Sequence, residues 1–374
     1  MNRRYHRLMT ALIFVMLLIP MAKNLVLAPK EFSDLENRVL SQKILWNRDL
    51  LKSGVLAERT EAYFQDQFPL RDAFINLKSD VQVLMGKKRN NGIHQGKDGY
   101  LFPVTKVHVE EVLRNNLQAI LDLEARYSDR LKIVAVPPSS LVLEEKLPEH
   151  VGTEQEIRVL EEIRIALSGA GGYVDAHEVL NRHADEAVYF RTDHHWTQYG
   201  AYLLYQELMN SMSKEPVDIA TFTVHKVQDF QGTYYSRFRG NLIPGEEFTL
   251  FESTKGHYSL EFPGEGWVED RILFKENLSL RDKYRVYLDG NYPLAVMRND
   301  EAMSGEKILV LKDSYANAMA PFLADSFGEV HFLDLRYYNL SLEAYIEEEG
   351  FDQVVLLYGV DSLLEDVNLK KLAY

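Results

Sequence analysis

The chain lacks cysteine and has no excess of basic residues. None of its 374 residues is cysteine, which excludes a disulfide framework, a thiolate nucleophile and a cysteine metal site. Lysine and arginine number 42 against 56 aspartates and glutamates, so the net charge is -14. This charge argues against nucleic-acid binding, because phosphate contacts need a basic face. The 46% hydrophobic content is enough for a globular protein with a sizeable core.

A basic start followed by an uncharged apolar stretch marks the N-terminus. Arg3, Arg4 and Arg7 precede residues 8–22, which contain no charge. This order is typical of a secretory signal or an anchor. Because no A-x-A site follows, we predict an uncleaved signal anchor in residues 1–28, with the rest of the chain exported. Cleavage and secretion, or a buried N-terminal helix of a cytosolic protein, are the alternatives.

Two further segments are predicted after the anchor. Residues 29–102 form a polar, aromatic-rich lead-in, and the G-K-D-G turn at 96–99 predicts a hairpin at its end. From residue 103 to 374, amphipathic helices alternate with near-continuous apolar strands, which predicts an α/β domain with a buried, mostly parallel sheet. Residues 220–300 carry short β-like runs separated by Gly and Pro, and they predict a β-rich insertion.

The predicted elements of this domain follow the hydrophobic periodicity. The helices are predicted at residues 107–127, 154–168, 197–212, 315–326 and 341–349. The strands are predicted at residues 131–137, 173–176, 187–192, 307–313, 329–335 and 352–359, and inside the insertion at the runs T-F-T-V-H-K-V, F-T-L-F and Y-R-V-Y-L.

Polar side chains follow four of the predicted strands. Reactive groups in open α/β sheets gather just past the carboxyl ends of strands. The strand ends carry Asp193, His194 and His195, then Asp313 and Ser314, then Arg336, and finally Tyr358. Together they offer an acid, a base, a nucleophile and a cation, with the Ser314 hydroxyl at a helix N-terminus that could stabilise an oxyanion.

The D-H-H-W segment predicts an asymmetric use of its two histidines. Asp193 and His195 are two residues apart, so in extended backbone their side chains share one face. The carboxylate can then orient His195 as a general base. His194 would face the opposite way, and Trp196 would close the wall of the site. The reverse assignment stays open, because a turn can break the alternation.

Other interpretations of these residues stay open. Ser314 could be an ordinary N-cap. The adjacent histidines near Asp193 could be a fragment of a zinc site or a hydrogen-bonded core cluster, although no further ligand at short spacing and no cysteine accompany them. Arg336 and Tyr358 could be structural partners only.

Five separated segments resemble the DHHW family. They are D-H-H-W-T-Q-Y-G-A-Y, K-D-S-Y, E-N-R, D-Q-F-P-L-R-D and G-K-D-G-Y-L-F, spread in matching order over residues 32–374. That family is similar to the alginate O-acetylation proteins AlgJ and AlgX of the SGNH hydrolase superfamily. The resemblance implies an SGNH-like three-layer α/β/α fold in a permuted order, with the Asp-x-His pair before the serine.

The resemblance also implies roles for the site residues. It makes Asp193 the orienting acid, His195 the base and Ser314 the acyl nucleophile. The usual SGNH signature has glycine before Asp-Ser, whereas Lys312 stands there in this chain. We therefore expect the oxyanion to bind the backbone N–H of Ser314 or Tyr315. Other expected substrate neighbours are the residues His194, Trp196, Arg336 and Tyr358.

The implied activity is exported polysaccharide O-acetyl transfer, or acetyl-ester hydrolysis, without a cofactor or metal. The resemblance implies a polysaccharide acceptor and an acetyl donor supplied by a membrane-bound O-acyltransferase. Glycan recognition would fall to exposed aromatics of the insertion such as Tyr234, Tyr235, Phe238 and Trp267, although aromatic clusters more often belong to the core than to a sugar platform. Two alternatives stay open: a catalytically inactive polysaccharide-binding or scaffold subunit, which the Lys312 departure favours, and a metal-dependent hydrolase.

Overall fold

Two compact units make up the chain. The computed structural model describes residues 3–26, 28–33, 35, 38–43, 52, 54–104, 110–255 and 257–373. One unit consists of Met1–Asn90 with Ser236–Ile243, and the other of Asn91–Tyr235 with Pro244–Tyr374.

The first unit is built mainly from helices. Its described helices are α1 (Arg3–Val26), α2 (Val55–Asp66) and α3 (Arg71–Leu84), and its short strands are β1 (Phe32–Ser33), β2 (Arg38–Val39) and β3 (Arg89–Asn90). Strands β1 and β2 pair antiparallel. Helix α1 covers the apolar segment for which the anchor was predicted. Within the described residues, no helix combines the length and apolarity that a membrane crossing requires.

The second unit alternates strands and helices. Its strands are β4 (Ile93–Gln95), β5 (Leu101–Pro103), β6 (Leu131–Val136), β7 (Tyr173–Val174), β8 (Thr223–Phe230), β9 (Glu246–Glu252), β10 (Tyr258–Phe262), β11 (Trp267–Glu269), β12 (Leu294–Asn299), β13 (Ser304–Lys312), β14 (Phe327–Leu333) and β15 (Gln353–Gly359). The helices from residue 110 onward are α4 (Glu110–Tyr127), α5 (Ser139–Val142), α6 (Glu154–Leu167), α7 (Ala176–Asn181), α8 (Gln198–Ser211), α9 (Thr233–Phe238), α10 (Ala320–Ser326), α11 (Leu342–Glu349) and α12 (Val360–Glu365).

An eight-stranded sheet forms the centre of this unit, in the order β11-β10-β12-β14-β13-β15-β6-β7. The five strands from β14 to β7 run parallel, whereas β12, β10 and β11 extend the sheet antiparallel at one edge. Part of the predicted β-rich insertion therefore extends the main sheet. Its other strands, β8 and β9, form a separate antiparallel ribbon.

Apolar side chains cover both faces of the sheet and make it the middle of three layers. On β13, Ile308 and Val310 join one core with residues of α8 and α10. Leu309 and Leu311 point to the other face and pack with α4, α6 and α11. This alternation explains the near-continuous apolar runs in the sequence, because both faces of these strands are buried.

Most predicted boundaries agree with the structure to within a few residues, but two predicted strands are wrong. Residues 187–192 make only an isolated bridge, between Tyr189 and Trp196. The Y-R-V-Y-L run contains the 3-10 helix Lys283–Val286 instead of a strand. In both cases local hydrogen bonds and packing outweigh the strand propensity of the aromatic and β-branched residues. The helix predicted at 107–127 is described from Glu110 onward, and residues 107–109 lie outside the described residues.

Candidate active site

Ser314 follows the central strand β13, separated from it by Asp313, and begins the 3-10 helix Ser314–Met319. The cap of this helix is Asp313, whose Oδ1 accepts a hydrogen bond from the Tyr315 N–H at 2.9 Å. Asp313 therefore does the capping that Ser314 could have done. The Ser314 hydroxyl is left to contact a different partner.

Asp313 also ties the end of β13 to the end of β15. Its Oδ2 accepts the Gly359 N–H at 2.8 Å and the Ser362 hydroxyl at 2.6 Å. Burial raises the pKa of Asp313, and its hydrogen bonds act in the opposite direction. With three donors arranged around it, this buried carboxylate fixes the backbone at Ser314.

The D-H-H-W segment is a bend whose shape is set by the Asp193 side chain. Asp193 Oδ1 accepts the His195 N–H at 3.0 Å, and Oδ2 accepts the Thr233 N–H at 2.6 Å. Such a local bond from an aspartate to the backbone two residues on is typical of a turn. The predicted proximity of Asp193 to His195 is correct, but a turn produces it rather than an extended strand.

Three side chains form a continuous hydrogen-bonded set. His195 Nδ1 lies 2.6 Å from Asp193 Oδ1, and His195 Nε2 lies 2.8 Å from Ser314 Oγ. Asp193 and His195 are buried, with 3% and 5% of their surface exposed. The structure thus brings an acid, an imidazole and a hydroxyl into the order that nucleophilic acyl chemistry requires, although Ser314 is 119 residues from His195 in the chain.

Charges inside this set favour an ionised acid. Burial alone would raise the pKa of Asp193, but the neighbouring His194 and His195 and its hydrogen bonds hold that pKa well below its usual range. Asp193 is therefore a carboxylate at neutral pH. A carboxylate at Nδ1 leaves the Nε2 lone pair of neutral His195 directed at the Ser314 hydroxyl.

Aromatic rings enclose the imidazole. The Tyr284 ring stacks on His195 with the centroids 3.7 Å apart and the planes 5° from parallel. Trp196, fully buried, donates its Nε1–H to the Tyr315 carbonyl at 3.0 Å. The Tyr315 hydroxyl in turn donates to the His194 carbonyl at 2.6 Å. Tyr315 and Trp196 thus join the segment that begins at Ser314 to the D-H-H-W bend.

His194 does not point away from the site, and that prediction is wrong. Its ring centroid lies 3.7 Å from that of His195, and its Nδ1 is 2.8 Å from Thr233 Oγ1. The bend at residues 191–195 removes the alternation of an extended strand. Burial and the nearby His195 lower the pKa of His194 to about 4, so His194 is neutral at pH 7.

Two expected substrate neighbours occupy structural positions. The Arg336 guanidinium is paired with Asp334, at 2.9 Å and 2.6 Å. Tyr358 is fully buried in the same apolar core as Leu311. Within the described part of the chain, the Tyr358 hydroxyl has no hydrogen-bond partner. Neither residue hydrogen-bonds to the Asp–His–Ser set, because Arg336 is paired with Asp334 and the Tyr358 side chain lies in the core.

The aromatics expected to bind glycan are mostly core residues. Tyr234, Tyr235 and Phe238 are 5%, 6% and 0% exposed. Trp267 is partly exposed, but it stacks on Phe262 with the centroids 4.1 Å apart. The expectation of an exposed aromatic platform is therefore wrong for the three buried rings, whose apolar area is used for packing.

Lys312, at the position where the SGNH signature has glycine, is a buried cation. It is 2% exposed, and its Nζ donates to Asn291 Oδ1 at 2.9 Å. Burial lowers its pKa to about 8, which still leaves the ammonium mostly protonated at pH 7. The same Asn291 oxygen accepts from Asn317 at 3.2 Å. The Lys312 side chain therefore connects strand β13 to the loop before β12.

The D-H-H residues also offer a possible metal-ligand group. Asp193, His194 and His195 each place one ligand atom within 4.8 Å of the others. Both ring nitrogens of His195 already have partners in Asp193 and Ser314. A metal at this position would have to displace one of those bonds.

Sequence reasoning missed three residues that hold the bend. Glu246 accepts hydrogen bonds from the Arg191 and Thr192 N–H groups, both at 2.8 Å. Gly232 leaves no room for a side chain beside Asp193. Tyr284 supplies the ring that stacks on His195. Only the glycine carried a visible signal, in the Q-G-T-Y-Y segment, and that signal does not show which residue lies against it.

The fold and the site together define a three-layer α/β/α protein in which Asp, His and Ser side chains are hydrogen-bonded in series, with the serine after strand β13 and the other two on the D-H-H-W bend. Residues 165–333 match the DHHW protein family. The resemblance inferred from the sequence is thereby confirmed.

Comparison with known proteins agrees with this architecture. The chain resembles the Probable alginate O-acetylase AlgJ of Pseudomonas aeruginosa, with 29% identity over 170 residues, which is 42% of this chain and 42% of AlgJ. The match thus spans less than half of that relative. A DHHW family protein from Eubacterium siraeum has the same fold, with a TM-score of 0.63 and 22% identity over 76% of this chain and 95% of its own. Bacillus cereus PatB1 gives a TM-score of 0.61 and 24% identity, covering 74% and 98%.

Proposed function

We propose that this protein is an exported polysaccharide O-acetyltransferase, or an acetylesterase, that forms an acetyl-serine intermediate. The observation that carries the proposal is the chain of contacts from Asp193 through His195 to Ser314, at 2.6 Å and 2.8 Å. The similarity to AlgJ, whose name describes alginate O-acetylation, supports the reaction class. Ser314 is the proposed nucleophile, His195 the general base and Asp193 the orienting acid.

The first half-reaction loads the enzyme. As Ser314 Oγ attacks the carbonyl carbon of an acetyl donor, its proton passes to His195 Nε2. The tetrahedral intermediate collapses when the donor oxygen leaves with that proton, and acetyl-Ser314 remains. Asp193 stabilises the imidazolium that exists in between, because its carboxylate stays ionised.

The second half-reaction removes the acetyl group from Ser314. A sugar hydroxyl attacks the acetyl carbonyl and gives its proton to His195, which returns the proton to Ser314 as the sugar ester departs. Water in place of the sugar gives acetate and makes the protein an esterase. The same residues serve both reactions. Transfer to the sugar therefore predominates over hydrolysis only if the site excludes water while it admits the acceptor hydroxyl.

The Ser314 N–H is the proposed oxyanion donor. The alternative donor from the sequence, the Tyr315 N–H, is already bonded to Asp313 Oδ1 at 2.9 Å. An N–H at the start of a helical turn can stabilise the negative oxygen of both tetrahedral intermediates.

The experiment combines an activated ester with polymer acceptors. The full chain is incubated with p-nitrophenyl acetate, with and without alginate or another bacterial polysaccharide, and nitrophenol, acetate and polymer-bound acetyl are measured. We expect Ser314→Ala to lower nitrophenol release at least about a thousandfold. The control Ser168→Ala, at an exposed serine after α6, keeps the wild-type rate. Equal rates for wild type and Ser314→Ala contradict the proposal.

Metal-dependent hydrolysis is a second candidate, favoured by the three ligand atoms of Asp193, His194 and His195 within 4.8 Å. It predicts that zinc or manganese co-purifies with the wild type but not with His195→Ala. Acetyl transfer through Ser314 predicts full activity after exhaustive chelation.

The cellular setting belongs to the same proposal. The basic start and apolar segment of α1 fit a signal anchor that leaves the remaining chain outside the cytoplasm. The acetyl group would then come from a membrane-bound O-acyltransferase, and the acceptor would be a cell-surface or secreted polysaccharide.

A further inference from the structure

Helix α3 of the first unit turns a polar side inward. Ser79, 1% exposed, donates its hydroxyl to the Phe238 carbonyl at 3.0 Å. The Asp80 carboxylate accepts two hydrogen bonds from Asn241, one from the backbone N–H at 2.7 Å and one from the side-chain amide at 2.8 Å. These bonds fix the rotation of the helix about its axis.

The opposite side of α3 is apolar and exposed. Phe74, Leu77, Val81, Leu84 and the following Met85 are 50%, 57%, 45%, 77% and 81% exposed. At 3.6 residues per turn, these five positions fall within an arc of about 100°. We call them the outer face of α3.

A surface helix of a water-soluble protein normally shows the reverse arrangement. The apolar stripe faces the core and the polar side faces water. Turning the outer face of α3 inward would break the bonds of Ser79 and Asp80. A contiguous exposed apolar stripe beside a fixed polar side indicates that an apolar partner covers it.

The charge around the outer face indicates which partner. Residues 71–89 carry five basic and two acidic side chains, with Lys87, Lys88 and Arg89 just after the helix, which ends at Leu84. Beyond the proposed signal anchor, residues 29–90 carry 11 basic and 9 acidic side chains, whereas residues 91–374 carry 27 and 47. The basic excess is thus confined to the unit that contains the outer face. Two copies of this unit would bring like charges together, and an anionic surface would complement them.

We propose that the outer face of α3 lies in the interfacial layer of an anionic lipid bilayer. Phenylalanine and aliphatic side chains enter the boundary between headgroups and acyl chains, and basic residues at the helix end contact the anionic headgroups. This contact is separate from the signal anchor proposed for α1 and does not depend on the proposed chemistry at Ser314.

The absence of cysteine allows a direct test by site-specific labelling. A single-cysteine chain, Val81→Cys, is labelled with an environment-sensitive fluorophore and reconstituted into vesicles of phosphatidylglycerol with phosphatidylcholine, or of phosphatidylcholine alone. We expect a blue shift in the anionic vesicles, and quenching by lipids brominated on the acyl chains. The matched control is Asn115→Cys, an exposed position of α4, which should show neither effect.

A charge variant tests the electrostatic part. Replacing Lys87, Lys88 and Arg89 by glutamine should raise the amount of anionic lipid needed for half-maximal blue shift by at least about tenfold, since each basic residue near such a surface contributes about 1 kcal/mol. Equal quenching at Val81→Cys in both vesicle types contradicts the anionic preference.

Two outcomes overturn the membrane contact itself. One is a label at position 81 that stays in water while the protein is bound to the vesicles, which would leave the outer face to a protein partner. The other is a blue shift that grows with protein concentration in the absence of lipid, which would make a second copy of the chain the occupant.

Discussion

Gly232 lies directly against the Asp193 carboxylate. A Cβ on Gly232 would be 2.3 Å from both the Cβ and the Oδ2 atoms of Asp193. The Gly232 N–H donates to Thr192 Oγ1 at 3.1 Å, and the next residue, Thr233, donates its N–H to Asp193 Oδ2. The close approach therefore belongs to the same network that orients the acid for His195.

Gly232→Ala should shift Asp193 and weaken its contact with His195. Overpacking of this kind lowers the free energy of unfolding by about 1–3 kcal/mol. Because the acid is displaced from His195, the turnover of p-nitrophenyl acetate should fall even under conditions in which the variant is fully folded. Urea unfolding and initial rates measure the two effects. Gly169→Ala is the control, since nothing lies within 4 Å of that Cβ, and it should change neither value. Wild-type activity in Gly232→Ala would contradict this account of the bend.

Glu246 holds the start of the bend from strand β9. It is 7% exposed and accepts the N–H groups of Arg191 and Thr192 together with the Thr192 hydroxyl. Glu246→Ala leaves these donors without their partner, so we expect a loss of about 2–4 kcal/mol in the free energy of unfolding. Glu247→Ala, at the exposed next position of the strand, should change the free energy of unfolding far less, because exposed ion pairs contribute little to stability. Equal losses in the two variants would count against the role of Glu246.

His194 should make the protein less stable in acid. Its pKa is lowered from 6.5 to about 4 in the folded state, so the unfolded chain binds this proton first. The contribution of neutral His194 to the free energy of unfolding is therefore present above pH 6.5 and is lost as the pH falls toward 4. About a third of the side chain is exposed, which reduces the effect to about 1–2 kcal/mol. Urea unfolding at pH 7 and pH 4.5 should show a smaller loss for His194→Gln than for wild type; parallel losses would refute this assignment.

The Tyr284 ring should matter more than its hydroxyl. The ring stacks on His195, whereas the hydroxyl makes a long contact of 3.4 Å with the Tyr315 carbonyl. Tyr284→Phe keeps the stack and should retain near-wild-type turnover. Tyr284→Leu removes an aromatic contact of about 0.5–1.5 kcal/mol and lets the imidazole rotate, so turnover should fall about tenfold. If Tyr284→Phe is the more damaging change, the stack is not what positions His195.

The sequence predicts the sheet well, because periodicity alone carries that information. Near-continuous apolar runs such as K-I-L-V-L-K mark strands buried on both faces, and β13 lies within two or three residues of its predicted bounds. The rule for strand ends then selects Ser314. The motif resemblance supplies the pairing of Ser314 with His195, which no local pattern contains.

The remaining parts of the site depend on contacts between distant segments. Nothing in the sequence distinguishes Glu246 from other strand residues. Its hydrogen bonds to Arg191 and Thr192 form only when β9 packs beside the bend. The orientation of His194 was mispredicted because a bend, fixed by Asp193, replaces the extended backbone. Tyr358 is the penultimate residue of β15, and its side chain lies in the core. Position along a strand does not determine which face a terminal side chain occupies when the sheet is covered on both sides.

The most direct test is to locate the acyl group after brief exposure to an activated acetyl ester. The full chain is quenched in acid, its intact mass is measured and the modified residue is identified by peptide mapping. We predict one acetyl group on Ser314 in the wild type, and a rate of labelling lowered by at least about a thousandfold in His195→Ala. Unchanged labelling of Ser314→Ala, or an acetyl group mapped to a residue outside the Asp193–His195–Ser314 set, would contradict the central claim.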